Sequence, residues 1–218
     1  MLFRSTVSGD VDVGTGDVLL TADASGVETF DAVDLINFYE AEALVDVTGD
    51  ITAGDIVMSA SADVTALETE TTAVAVDIRS EARVLVRGSA ALSASGLIAM
   101  SSVSTVDSNA TAESDAADND TSTDAAVAVS VIDSVSRTAA EDTASLTAGG
   151  ALSLSATNDV VANTIANGGA GGGTAAGAAV ATTVFDSTTE AVIAGSASVI
   201  NAASLVIAAN ATNSVTTT

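Results

Sequence analysis

Polar and apolar residues alternate along most of this chain, and Gly, Asp and Asn interrupt the alternation at recurring places. Val74, Val76 and Ile78, then Ala82, Val84 and Val86, share one face of an extended backbone. Asp77, Arg79, Glu81, Arg83 and Arg87 fall on the other face. Period-two patterning of this kind predicts a half-buried strand pair with a charged exterior. The three Arg are placed to pair with Asp or Glu of adjacent strands. Residues 11–13, a Gly14-Thr15-Gly16-Asp17 turn and residues 18–21 read as strand, corner, strand. The same cadence recurs at 44–61, 92–101, 146–156 and 199–209. Residues 30–43 fit a short helix or a strand, and strand is the expectation there.

The best-defined stretch, residues 126–156, returns 53 residues later as 179–209. Val127 falls on Val180, Val131 on Val184, Asp133 on Asp186 and Leu152 on Leu205 without a gap. A fixed period predicts a repeat architecture in which each unit buries its apolar face against the next. Strands, Gly/Asp corners and this period together predict a parallel β-solenoid. Each period is expected to make two rungs of about 25 residues, giving a rod on the order of 40 Å long. Val127, Val131, Leu152 and Leu154, with Val180, Val184, Leu205 and Ile207, are expected to point inward in ladders. Exposed end rungs are expected to favour end-to-end stacking.

The expected layout is residues 6–72 as shorter solenoid units and 73–218 as full repeats, in which extra residues enter at loops. Loop excursions are expected at 106–124, which is acidic, and at 165–177, which is Gly-rich. Residues 1–5 read as a non-native lead-in, since Leu-Phe-Arg-Ser is one translation of a common sequencing adapter. The chain is read as an internal piece of a longer frame.

Aromatic residues are only 2 % of the chain, and the apolar set is mostly Ala, Val, Leu and Ile. Small and β-branched side chains suit a narrow interior of stacked layers. The net charge is −24, with Arg as the only basic residue type. A nucleic-acid partner is excluded, because neutralising phosphates needs a basic patch. An anionic membrane surface would repel the chain, and no bulky apolar run is long enough for a membrane-spanning helix. Such acidity suits a saline, divalent-rich medium.

His, Cys and Lys are absent. Ser–His, Cys–His, Ser–Lys and Schiff-base chemistry are therefore impossible, and the chain is read as non-enzymatic. The Gly168-Gly169-Ala170-Gly171-Gly172-Gly173 run lacks the Lys-Ser/Thr of a phosphate loop. Asp115, Asp118, Asp120 and Asp124 are the metal candidates, because four carboxylates close in sequence could share Ca²⁺ with water. Their spacing is not that of an EF-hand, and a solvated loop is the plainer reading. No cofactor is required; Ca²⁺ is the one candidate. Thr positions wander too much for the regular Thr-x-Thr rows of an ice-binding face.

The runs AVAVSVIDS (126–134), LTAGGALSLSATN (146–158) and NGGAGGG (167–173) resemble the repeats of giant bacterial filamentous adhesins of the leukotoxin, haemagglutinin-like type. The resemblance covers residues 74–218 well and the start loosely. It implies an all-β, right-handed parallel β-helix at a bacterial surface, secreted or cell-anchored. The expected role is a stalk whose partners are adjacent repeats of a longer chain and glycans of host or neighbouring cells. One alternative is a direct recognition module that binds Ca²⁺ or carbohydrate through residues 106–124. A more remote one is a carbohydrate-active β-helix enzyme.

Overall fold

A computed structural model describes residues 2–28, 36–70, 72–116, 121–170 and 174–218. In those residues the regular structure is all strand. Three strands make one coil, and five coils stack in parallel. The first coil holds β1 (Leu2–Val7), β2 (Val11–Asp12) and β3 (Val18–Ser25). After β4 (Val27–Glu28), the second holds β5 (Asn37–Val47), β6 (Ile51–Ala53) and β7 (Ile56–Glu70). The third is β8 (Ala73–Val86), β9 (Ala91–Ala94) and β10 (Ile98–Ala116). The fourth is β11 (Thr121–Ala140), β12 (Ser145–Ala148) and β13 (Ala151–Ala170). The last is β14 (Thr174–Ile193), β15 (Ser198–Asn201) and β16 (Ser204–Thr217).

These strands form three sheets, β1-β5-β8-β11-β14, β2-β6-β9-β12-β15 and β3-β7-β10-β13-β16, here called A, B and C. The chain is therefore a parallel β-solenoid. A and C are long and face each other, while B is a narrow edge that joins them. Strand β4 departs from the pattern, pairing antiparallel with β5 at Val27–Glu40 and Glu28–Tyr39.

The period has a different meaning from the one expected. Asp133 lies beside Asp186 and Leu152 beside Leu205, so 53 residues make one coil and not two rungs. Five coils at about 4.8 Å stack to about 20 Å, half the expected length, whereas a 20-residue strand runs about 65 Å. The early units are shorter because their strands are shorter, not because loops were left out. Along sheet A the strands grow from 6 to 11, 14, 20 and 20 residues. The excursions expected at 106–124 and 165–177 are likewise mostly strand. β10 and β13 run on to Ala116 and Ala170, and β11 and β14 resume at Thr121 and Thr174. Small side chains disguised the alternation there: Val106, Ser108, Ala110 and Ala112 are buried while Asp107, Asn109, Thr111 and Glu113 face outward. Residues 2–5 belong to β1, which pairs with β5.

The core is built of rows that climb through the coils. In sheet C, Val18, Ile56, Ile98, Leu152 and Leu205 form one row, and Leu20, Met58, Met100, Leu154 and Ile207 form another. Leu152 and Leu154 are fully buried, as expected. Leu205 and Ile207 keep the register but are about half exposed, because they sit on the last coil. Sheet A corrects the expectation. Val127 and Val131 lie on the outer face, and so do their row partners Val180 and Val184. Their neighbours Ala128, Ser130, Ile132 and Ser134 point inward and are buried. Hydrogen bonding across the interior makes those Ser acceptable inside, and β-branched Val fits an exposed strand surface.

One backbone feature marks the corner between sheets A and B. Gly88, Asp142 and Gly195 occupy equivalent corners of coils three to five, and all have positive φ, at 69°, 59° and 69°. Asp142, the one residue of the three that bears a side chain, accepts a hydrogen bond on Oδ2 from the Gly88 N–H at 2.9 Å. That bond ties two coils together at a strained position.

Candidate functional site

The ion pairs among the described residues lie along sheet A. Arg87 grips Asp46 of the coil below through two bonds, Nε to Oδ1 at 2.8 Å and Nη2 to Oδ2 at 2.6 Å. Arg79 bonds Glu81 at 2.8 Å and lies 3.7 Å from Glu40 of the preceding coil. Arg83 also contacts Glu81, whose carboxylate is buried between the two guanidinium groups. Arg137 reaches Glu190 one coil on, at 2.6 Å, and Glu141 on its own coil. The expected pairing across rungs is thus present for Arg79 and Arg87. The hydrogen bonds that Arg79, Arg87 and Arg137 donate to Glu81, Asp46 and Glu141, respectively, raise the pKa of each arginine. Four of the five Arg are consumed by carboxylates in this way, which leaves little cationic surface to meet an anionic ligand.

At the corners Asp does structural work. Asp17 Oδ1 accepts from the Asp55 N–H at 3.0 Å, and Asp55 Oδ1 accepts from the Leu97 N–H at 2.8 Å. Asp50 Oδ1 accepts from the Ala91 N–H at 2.8 Å. Each carboxylate satisfies a backbone donor one coil further along, a coil-to-coil version of the ordinary Asp turn.

Of the metal candidates, Asp118 and Asp120 lie outside the described residues, and so does the side chain of Asp115. Asp124 is described. Its Oδ1 accepts from Ser114 Oγ and from the Ala125 N–H at 2.8 Å, and its Oδ2 accepts from the Gly169 N–H at 3.1 Å. The carboxylate therefore links β11 of sheet A to β10 and β13 of sheet C at the edge opposite sheet B. Among the described residues no group of three or more His, Cys, Asp or Glu is placed to hold a metal ion. Beside Asp124 an open cleft of about 960 Å³ is lined by Thr69, Glu70, Thr72, Glu113, Ser114 and Asn167. It offers hydroxyls, an amide and two carboxylates.

Sequence reasoning missed the buried polar chain. Ser80 Oγ and Ser104 Oγ lie 2.7 Å apart, and Ser104 and Ser134 2.9 Å apart. Ser134 Oγ donates to Asn158 Oδ1 at 2.7 Å, and Asn158 Nδ2 donates to Ser187 Oγ at 3.0 Å. The bonds cross between sheets A and C as they climb from the third coil to the fifth. A shorter chain joins Ser130, Thr164, Thr183 and Thr217. The available signal was Ser130, Ser134 and Ser136, which a strand places on a single face together with Ile132. Comparison with protein-family models, with curated proteins and with solved structures finds no match for this chain.

Proposed function

We infer that this chain is a non-enzymatic spacer, a stalk segment of a large secreted or cell-surface bacterial adhesin. The observation that supports the reading most is the constancy of the interior rows. Val18, Ile56, Ile98, Leu152 and Leu205 hold one position in five successive coils, so each coil is a template for the next. Such a body lengthens by adding coils and needs no new core. The side chains agree with a passive role: four Arg are paired with carboxylates, the corner carboxylates Asp17, Asp50 and Asp55 accept from backbone donors, and His, Cys and Lys are absent.

Two experiments test the reading. The surrounding reading frame should carry an export signal, many further repeats and a terminal anchor or secretion domain; a frame without them contradicts it. The purified chain should also show no retention on glycan arrays or cells, with or without Ca²⁺. Ca²⁺-dependent retention that is lost in the Asp115→Asn, Asp118→Asn, Asp120→Asn, Asp124→Asn variant would move a ligand role to the acidic edge.

A further inference from the structure

The outer face of sheet A is divided along its strands. Toward sheet B it carries the ion pairs of Arg79, Arg83, Arg87 and Arg137. Toward the opposite edge it is a field of small apolar side chains. Its rows, read across β8, β11 and β14, are Ala73, Val127 and Val180; Ala75, Val129 and Thr182; and Asp77, Val131 and Val184. Ala125 beside Ala178 continues the field. Val127 and Val131 have a strand on either side and are still 39 % and 38 % exposed. Their exposure therefore belongs to the broad side of the solenoid, which coils stacked on either end would leave open. Sheet C has no such field. Its outward rows hold Ser59, Ser101 and Ser155, then Ser61, Val103 and Thr157, then Asp63, Thr105 and Asp159. An exposed apolar patch rimmed by polar groups marks an interaction site.

Charge selects the occupant and its direction. In a chain of net charge −24, Asp77 is the one charged residue in these rows, so a second copy meets little repulsion here. Asp77, Asp133 and Asp186 lie to one side of the row of Val129, and Ala73, Ala125 and Ala178 lie to the other. A second copy laid on the field with its strands reversed about Val129 sets every Asp over an Ala. Asp133 falls on Ala125, Asp186 on Ala178 and Asp77 on Ala73. Strands running the same way about β11 would instead set Asp133 on Asp133.

We propose that the apolar half of sheet A is a lateral self-association surface, and that its occupant is the same face of a second copy. The two sheets pack face to face with strands antiparallel, and the two solenoid axes lie side by side with the same polarity. Outward residues are about 6.7 Å apart along a strand and about 4.8 Å apart between strands. On that spacing the outward positions of 73–77, 123–135 and 176–188 cover on the order of 550 Å² per copy. The pair therefore buries about 1,100 Å², above the roughly 1,000 Å² that a specific interface needs. An isologous contact closes on itself, so the assembly stops at two. This inference stands on the face itself and does not rest on the stalk reading.

The test is the solution mass of the 218-residue chain by light scattering, over a dilution series at low and high NaCl. The prediction is twice 21.1 kDa, with the dimer favoured by NaCl, which screens the repulsion between two acidic chains. Val127→Asp with Val131→Asp sets carboxylates opposite one another and should halve the mass, while the thermal melt stays near that of the parent. Val127→Asp with Val131→Arg should restore the dimer, because reversed strands bring position 127 of one copy to position 131 of the other. Val161→Asp, at 41 % exposure on the outer face of sheet C, should leave the dimer intact. A monomer at every protein and salt concentration overturns the proposal. So does an association that survives Val127→Asp with Val131→Asp, or one that Val161→Asp abolishes. A Val127→Asp, Val131→Arg variant that stays monomeric overturns the reversed arrangement.

Discussion

Ser134 and Asn158 meet inside the solenoid, the hydroxyl of one donating to the side-chain carbonyl of the other at 2.7 Å. The Asn158 amide returns a bond to the Ser134 carbonyl at 3.0 Å and a second to Ser187 Oγ on the next coil, also at 3.0 Å. Asn158 is fully buried and sits in a row otherwise occupied by Ala24, Ala62, Ser104 and Ala211. It therefore fixes how sheet A is set against sheet C. Asn158→Ala would remove the bonds to the Ser134 hydroxyl, the Ser134 carbonyl and Ser187 Oγ inside the core and should cost about 1–3 kcal/mol. Chemical denaturation measures this, and an unchanged midpoint would show that the polar chain does not contribute.

The repeat was legible and its geometry was not. Leu152 over Leu205 follows from the period alone, because identical units in register bring identical positions together. How many strands that period contains does not follow, since small residues such as Ala110, Ala112 and Ala166 look like loop in a sequence while serving as core in a narrow interior. The inward phase of β11 failed for a related reason. Val127 and Val131 are the more apolar choice, but Ser130 and Ser134 find partners across the interior, and those partners lie 24 to 34 residues away. At the acidic edge, only Asp124 of the four candidate ligands has a described side chain, and its partners are a hydroxyl and two backbone donors that spacing does not reveal.

The phase of the two long sheets separates a pair of substitutions. Leu152→Asp buries an unpaired carboxylate and should cost several kcal/mol, about 3 or more. Val131→Asp, on the outer face at 38 % exposure, should change stability by about 0.5 kcal/mol or less. Thermal melts of the two variants check this, and equal losses would mean that the inner face has been misassigned.

The ion pairs of sheet A have a defined pH behaviour. Asp46 holds the Arg87 proton more tightly than in a free arginine, so the folded pKa is raised above its ordinary value. Stability from a raised cation is complete below its unfolded pKa and fades only as pH climbs through the folded one. Arg87→Gln should therefore cost about 0.5–1 kcal/mol, equally at about pH 7 and about pH 10, and less in high salt. Urea midpoints at both pH values and two salt concentrations measure it. A cost that disappears at the higher pH would contradict the assignment.

The central claim is that one 53-residue period makes one coil, and the absence of Cys makes a direct test simple. Ser153 and Val206 are register partners on the outer face of sheet C. If each period is a single coil, their Cα atoms are about 4.8 Å apart, within the span a disulfide bridges; two rungs per period would place them about 9.6 Å apart, beyond it. Mild oxidation of the Ser153→Cys, Val206→Cys double variant should give an intramolecular disulfide in nearly all of the monomer, read by mass spectrometry of a proteolytic digest. Free thiols in a folded, oxidised sample would contradict the fold described.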